Sequence, residues 1–157
     1  MEFRSVTGAD YYVISPLIND WWGGRQMSDM LPKLFFDHFS NSSFIAEEEG
    51  KIVGFLIGFF SQVHLNEAYI HFVGVHPEFR KNNVGKQLYQ KFFDVVKQNG
   101  RSVVRCVTSP VNKGSIAYHT KMGFDVEMAD KQIDGVLVHP DYDGSKQDRV
   151  LFVKHLS

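Results

Sequence analysis

The sequence predicts a mixed α/β (α+β) fold in one domain, residues 1–157, and three observations predict it. Short blocks of alternating apolar and polar residues read as strands, longer blocks with apolar residues every three or four positions read as helices, and the two kinds interleave along the chain. In order, "EFRSV" is a short strand, and "TGADYYVISPLIND" and "SDMLPKLFFDHF" are helices. Thr7 and Ser28 serve as their caps, and Pro32 falls in the first turn of the second helix, where proline is tolerated. "SFIAEEEGKIVGFLIGFF" is a hairpin whose turn lies near "EEGK", between the apolar runs Phe44–Ala46 and Ile52–Phe60.

"NEAYIHFVGVHPEFR" continues as a strand ended by Pro77. In "VGKQLYQKFFDVVKQNG", Val84, Leu88, Phe92 and Val95 form a helical stripe and Gly100 is the stop. "SVVRCVT" is a strand, "NKGSIAYHTKM" a helix, "GFDVEM" a strand and "DRVLFVKHL" a closing strand, with "DGVLVHPDYDGSKQDR" read as a loop. The expected order is β-α-α-β-β-β-α-β-α-β-β, with one crossover helix after the fourth strand.

A chain of 157 residues can bury a good core, and 43% hydrophobic with 22% charged residues is ordinary for a soluble domain. A net charge of −1 and a pI near 6.6 argue against nucleic acid or an anionic membrane as the main partner. "MEFRSVTGAD" lacks the apolar core of a signal peptide, and the apolar run Ile52–Phe60 is too short to span a bilayer, so a cytoplasmic, soluble protein is expected. Cys106 is the single cysteine, which excludes an internal disulfide and a multi-thiolate zinc site. None of the seven histidines pairs at i, i+4 or as H-x-H, so no metal is expected.

The chemistry concentrates in "VGVHPEFRKNNVGKQL", a strand running through a tight turn into an amphipathic helix. The first N–H groups of such a helix lack internal partners and bind phosphate well. Arg80, Lys81 and Lys86 add positive charge, Asn82 and Asn83 tolerate left-handed backbone, and Gly85 admits close approach. The plainer alternative is a solvated basic loop. A nucleotide P-loop is rejected, because Arg80 and Gln87 stand where it needs its first glycine and its hydroxyl.

At these residues the chain resembles the GNAT superfamily of acyl-CoA-dependent N-acetyltransferases. That family carries [RQ]-x-x-G-x-[GA] between a strand and a helix, usually after V-x-P. Here Val75, Pro77, Arg80 and Gly85 match, with Asn83 at the usual first glycine. A second family motif, N-x-x-[AS]-x-x-[FY]-[YH]-x-K-x-G-F, matches Asn112, Ser115, Tyr118, His119, Lys121, Gly123 and Phe124. The close resemblance covers roughly Phe44 to Phe124.

The resemblance implies a mostly antiparallel sheet flanked by helices, with splayed central strands that admit the pantetheine arm of acetyl-CoA as an extra strand. Val73 and Val75 would pair with that arm. Arg80, Lys81, Asn82, Asn83, Val84, Gly85 and Lys86 would hold the pyrophosphate, and Asn112 would bond the arm or cap its helix. No metal takes part. The implied activity is direct transfer of an acetyl group to an amine in a ternary complex. The alternative is a non-catalytic acyl-CoA-binding sensor.

Period-two alternation puts Glu67, Tyr69, His71, Val73 and Val75 on one strand face unless a bulge intervenes. His71 is the candidate base, with Glu67, water, or a merely packed histidine as alternatives. His119 stands where many relatives place a tyrosine that protonates the leaving thiolate, or else it packs; Tyr118 is the packing residue. For the acceptor, small-molecule or peptide amine, Trp21 and Trp22 offer a wall, Arg25 a carboxylate clamp, and Asp134, Asp141, Asp143 and Asp148 an attraction for cations. A homodimer is left open.

Overall fold

In a computed structural model describing residues 1–157, the chain divides into two compact units, Met1–Arg101 and Ser102–Ser157. In the first, strands β1 (Glu2–Ser5), β2 (Phe44–Glu48), β3 (Lys51–Phe60) and β4 (Glu67–Val75) pair in chain order, each antiparallel to the next. The β2–β3 turn sits where the sequence puts it. Glu49 and Gly50 take φ of 51° and 79°, the two consecutive left-handed residues of a tight two-residue hairpin.

Helix α1 (Asp10–Trp21) packs on one face of this sheet and α3 (Val84–Gln98) on the other. The α1 side buries Ile14, Ile18 and Trp21 against Ile45, Phe55, Ile57 and Phe72. On the α3 side, a Cβ on Gly54 would lie 2.8 Å from Val84 and 3.2 Å from Leu88, so the glycine lets the helix come close. The buried face of α3 is wider than the expected stripe: Tyr89, Phe93 and Val96 join Val84, Leu88 and Phe92, and Val95 at its edge is half-buried.

The expected second helix is broken. Ser28–Met30 makes one 3-10 turn, and helix α2 covers only Leu34–His38. The cause is local: Pro32 disfavours helical backbone at the residue before it, and Leu31 is accordingly extended at φ −135°, ψ 70°. Neither expected cap functions as one, since α1 starts after Ala9 with no side-chain cap bond. Instead the Thr7 N–H donates to the Asp10 carboxylate at 2.7 Å, and Arg4 donates to both its oxygens at 2.8 and 2.9 Å. Burial works to raise the Asp10 pKa, but the bonds from Arg4 and Thr7 outweigh it and hold the carboxyl below its ordinary value.

The strand face inferred from strict alternation is also divided. Along β4, Val75 lies opposite Gly54, Val73 opposite Leu56 and Phe72 opposite Ile57, but Ile70 lies opposite Gly58 and Tyr69 opposite Phe59. His71 is the extra residue, a β-bulge. Because Ile57 and Gly58 point to opposite sides of β3, the bulge swaps the parity of β4. Val73 and Val75 share the α3 side with Gly54 and Leu56, whereas Phe72 and Tyr69 lie on the α1 side. His71 joins the latter, stacked on Phe35.

The second unit holds β5 (Val103–Thr108), α4 (Lys113–Lys121), β6 (Asp125–Val126), β7 (Lys131–Ile133), β8 (Val136–Val138) and β9 (Val150–His155). Strand β9 is antiparallel to both β5 and β6. The β7–β8 hairpin occupies part of the expected loop. Its turn, Asp134-Gly135 at φ 51° and 81°, is an Asp-Gly hairpin signal lying within the segment expected to be a loop. No helix of the chain is long and apolar enough to cross a membrane.

Candidate active site

Between β4 and α3 the chain makes a 3-10 turn, Pro77–Phe79, and then passes through Asn83 in the left-handed region at φ 60°. The His76 ring holds that turn, its Nδ1 accepting the Glu78 N–H at 3.0 Å. The Gln87 N–H closes the first turn of α3 on the Asn83 carbonyl at 3.0 Å. The N–H groups of Val84, Gly85 and Lys86 precede that bond, and Asn83 adds no side-chain cap. Fifteen helical residues align their dipoles behind these donors.

Lys81, Asn82, Asn83 and Lys86 are exposed around this helix start, Gly85 is half-buried, and the Val84 side chain is buried beneath it. Arg80 is turned differently. Its Nη2 donates to the Trp21 carbonyl at 2.5 Å and its Nε to the Val75 carbonyl at 3.4 Å. The guanidinium thus ties the turn to the C-terminal end of α1, where carbonyls carry partial negative charge.

His71 sits at the bulge, half-buried, with its ring parallel to Phe35 at 4.2 Å. Its Nε2 lies 2.6 Å from the Met30 carbonyl oxygen. A carbonyl only accepts, so Nε2 carries the proton, and in the neutral ring Nδ1 is the basic nitrogen. Glu67 begins β4 on the same side as Tyr69 and is also half-buried.

In the second unit, Asn112 caps α4, its Oδ1 accepting the Ser115 N–H at 3.1 Å. Of the next two rings, His119 is 7% exposed, in keeping with its packed alternative, whereas Tyr118, expected to pack, is 40% exposed. The His119 Nδ1 donates to the Ser115 carbonyl at 2.7 Å, and its ring stacks on Phe152 at 4.7 Å. Burial lowers the pKa of His119, with the Ser115 bond opposing in part, so the ring is neutral at pH 7. Burial raises the pKa of Tyr118, whose hydroxyl keeps its proton. Burial likewise pushes the Cys106 thiol far up, so no thiolate forms there near neutrality.

The description of the acetyltransferase (GNAT) family matches residues 11–124. The chain belongs to the acetyltransferase (GNAT) family. An uncharacterised N-acetyltransferase from Methanocaldococcus jannaschii is 34% identical over 86 residues, 52% of this chain and 38% of that protein. L-2,4-diaminobutyric acid acetyltransferase from Nocardia farcinica is 33% identical over 79 residues, covering 50% of this chain and 41% of the relative. The chain thus matches about two fifths of the length of each curated relative. Among solved structures, Ard1 from Thermoplasma volcanium superposes with a TM-score of 0.77 at 18% identity, over 99% of this chain and 97% of the other. A putative acetyltransferase from Salmonella typhimurium, solved with its cofactor acetyl-CoA, gives 0.72 at 19% identity over 100% and 94%. These likenesses show a GNAT fold, mixed α/β with a mostly antiparallel sheet flanked by helices.

Within this GNAT chain, the residues expected to receive an acceptor are variously placed. Trp21 is a core residue, 5% exposed and stacked on Phe55 at 6.0 Å. Trp22 is half-buried against Phe72 at 4.9 Å, and Arg25 is exposed. The late aspartates are engaged locally: Asp143 with Arg149 and Asp148 with Lys131, both at 2.7 Å, and Asp141 with the Lys146 N–H, also at 2.7 Å. An open groove of about 710 Å³ lies in the first unit, lined by Arg4, Asp10, Leu17, Ile52, Glu78 and Phe79 among others; none of the candidate catalytic residues lines it. Sequence reasoning missed Phe35 and the Met30 carbonyl beside His71. The aromatic run "LFFDHF" was the available signal for the first; a backbone carbonyl has none.

Proposed function

We propose that this GNAT protein moves an acetyl group from acetyl-CoA to a primary amine by direct attack in a ternary complex, with His71 as the base. The observation that carries this reading is the tautomer imposed on His71. With Nε2–H committed to the Met30 carbonyl, Nδ1 is the nitrogen that takes a proton.

The acceptor ammonium must first lose one proton, to solvent water, before its nitrogen can attack the thioester carbon. As the C–N bond forms, the carbonyl electron pair moves onto oxygen, and the amine's excess proton passes to Nδ1 of His71. The bulge supports this step, because it breaks the alternation of β4 at His71 and sets the ring beside Phe35. Collapse of the tetrahedral species restores the carbonyl and expels the CoA thiolate. Within the Tyr118–His119 pair, the transferable proton at neutral pH is the phenolic one, since the buried imidazole is neutral and has already given its Nδ1–H to Ser115.

The helix start at Val84, Gly85 and Lys86, with Asn82, Asn83 and Lys81 beside it, takes the pyrophosphate. Val73 and Val75 supply backbone to the pantetheine arm. The acetyl-CoA complex of the Salmonella protein supports the choice of co-substrate. The named relatives do not agree on an acceptor: one is a diaminobutyrate acetyltransferase and another solved neighbour a ribosomal-protein-alanine N-acetyltransferase from Escherichia coli.

Release of the CoA thiol from acetyl-CoA, followed across a panel of amines, tests the reading. Acceptor-dependent release with a matching acetylated product is expected. Tight binding of CoA with no release for any amine would replace the transferase by a binding module.

A further inference from the structure

A carbonyl that selects a tautomer must itself be held in place. Phe35 lies parallel to the His71 ring at 4.2 Å, with the planes 3° apart, and this stack fixes the plane of the imidazole. A half-turn about Cβ–Cγ would preserve that plane while exchanging the nitrogen and carbon edges of the ring. The Met30 carbonyl, 2.6 Å from Nε2, tells the two edges apart.

Met30 ends a single 3-10 turn, Ser28–Met30. The bonds of that turn run from the Met30 N–H to the Met27 carbonyl at 3.0 Å and from the Leu31 N–H to the Ser28 carbonyl at 3.1 Å. One such turn is too short to hold its own orientation. Leu31 is fully buried and Met27 packs against the core, which locates the turn. Burial is non-directional, so it sets where the turn lies and not which way its carbonyls point.

The directional bonds come from α1. The Asn19 Oδ1 accepts the N–H groups of Met27 and Ser28 at 2.7 and 3.0 Å, and its Nδ2 donates to the Gln26 Oε1 at 3.0 Å. Two N–H donors at one atom require oxygen there, which fixes the orientation of the amide. The 3-10 turn has Met27 at its own cap position and no side-chain cap bond, so Asn19 caps it from another element. The neighbours of Asn19 on α1, Ile18 and Trp21, are core residues, so the amide stands on a firmly seated helix end. The link between α1 and the turn is unpacked at Gly23 and Gly24, where an added Cβ would meet nothing within 4 Å. Asn19 holds the near end of that link as well, its carbonyl accepting the Gly24 N–H at 2.7 Å.

We propose that Asn19 is a positioning residue for acetyl transfer: its amide holds the Met27–Leu31 turn so that the Met30 carbonyl keeps the proton of neutral His71 on Nε2. This role rests on the reading of His71 as the base. Without the amide, the Met27 and Ser28 N–H groups lose their partner, the turn rotates about its apolar anchors, and the ring samples both edges and both tautomers. A smaller fraction of the enzyme then has its base correctly set, which lowers kcat. The Arg80 anchor on the Trp21 carbonyl involves α1 backbone alone, so acetyl-CoA binding is untouched.

Two variants and a spectrum test the role. Asn19→Leu, close to isosteric, removes both ends of the amide, whereas Asn19→Asp keeps an oxygen for the two N–H groups. Thiol release is followed with acetyl-CoA and the best acceptor among 2,4-diaminobutyrate, phenethylamine and a peptide beginning with alanine. The kcat of Asn19→Leu should fall about tenfold or more, the scale of a displaced catalytic group, with the KM for acetyl-CoA unchanged. Asn19→Asp should stay within about threefold of wild type, because its carboxylate makes charge-assisted bonds to the same donors. A long-range proton–nitrogen correlation spectrum of the His71 ring, assigned by its loss in His71→Gln, reads the tautomer directly. Nε2–H is expected in the wild type and in Asn19→Asp, and a mixture in Asn19→Leu.

A merely structural Asn19 would lower stability without moving that spectrum. Wild-type kcat and spectrum in folded Asn19→Leu overturn the inference and leave His71 as the base. A loss of kcat that Asn19→Asp does not restore does the same. If Asn19→Leu does not fold, Asn19→Ser, whose hydroxyl is too short for both donors, takes its place with the same outcomes. If His71→Gln keeps the wild-type rate, or no amine releases thiol, the reading of His71 as base falls and this role falls with it.

Discussion

His71 and His119 are both histidines in motifs singled out for chemistry, and the two regions treat the imidazole in opposite ways. His71 lies on a bulged strand, half-buried, with one nitrogen bonded to a carbonyl 41 residues away in sequence. His119 lies on a helix, 7% exposed between Phe124 and Phe152, with one nitrogen bonded to the carbonyl four residues earlier. Each hydrogen bond selects a tautomer. They differ in exposure: His71 is half-buried, whereas at His119 burial penalises the charged ring. The lesson is that a catalytic position in a motif and a catalytic environment are separable. Tyr118, expected to pack, is the exposed ring of its pair, and His119 takes the packed one of its two readings.

The contrast breaks first if His71→Gln retains activity. Glutamine can still donate to the Met30 carbonyl but has no basic nitrogen, so kcat/KM should fall by about 10²–10³. The wild-type pH profile should show an acidic limb, because only the neutral ring accepts a proton, and the limb should vanish in the variant. Steady-state kinetics from pH 5 to 9 would check both, and an unchanged profile would remove His71 from the mechanism.

A smaller effect is expected at the turn before α3, proposed to hold the pyrophosphate. Arg80→Ala should weaken CoA binding by roughly tenfold, a loss typical of a charge-assisted contact that also organises backbone. Calorimetric titration with CoA reads this directly; equal affinity would mean that Arg80 serves α1 alone. Asn83→Val forces a β-branched residue into the left-handed region and should cost about 1–2 kcal/mol of stability, seen as a lower denaturation midpoint, whereas Asn83→Gly should not.

The smallest change sharpens the other half of the comparison. His119→Phe should keep kcat/KM within about threefold, since a neutral buried ring offers no catalytic proton. Its mark should appear in stability. The folded pKa of His119 lies below that of the unfolded chain, so between the two the unfolded state binds more protons. The stability tied to the neutral ring is fully present above about pH 6.5 and is lost as pH falls through the folded pKa. Melting temperatures from pH 7 to 5 should therefore decline less steeply in His119→Phe. Parallel slopes, or a large loss of activity, would return His119 to the chemistry.

Much of the fold could be read in advance. The β2–β3 hairpin, the strand-turn-helix at Val73–Leu88 and the stop of α3 before Gly100 follow from alternation, helical repeat and glycine placement. Where the structure departs from local pattern, the causes are specific. Pro32 shortened α2 by forcing Leu31 out of helical backbone, and the Asp134-Gly135 hairpin was hidden among charged residues that suggested a loop. The left-handed turn before α3, proposed to hold phosphate, was legible because its features are local. The surroundings of His71, the proposed base, and the burial of the α4 pair were much less so, because they are products of packing.

By itself the sequence determined the left-handed Asn83, the open N–H groups at the start of α3, the exclusion of a disulfide and the two motifs that place the chain among GNAT proteins. These depend on backbone dihedrals and on neighbours within one or two turns. Only the tertiary structure decided that β4 bulges at His71, that Val73 and Val75 turn away from Tyr69, that Met30 selects the His71 tautomer, and that Phe35 stacks on its ring. Register, burial and tautomer are set by partners distant in sequence, and no local pattern of residues encodes which partner will arrive.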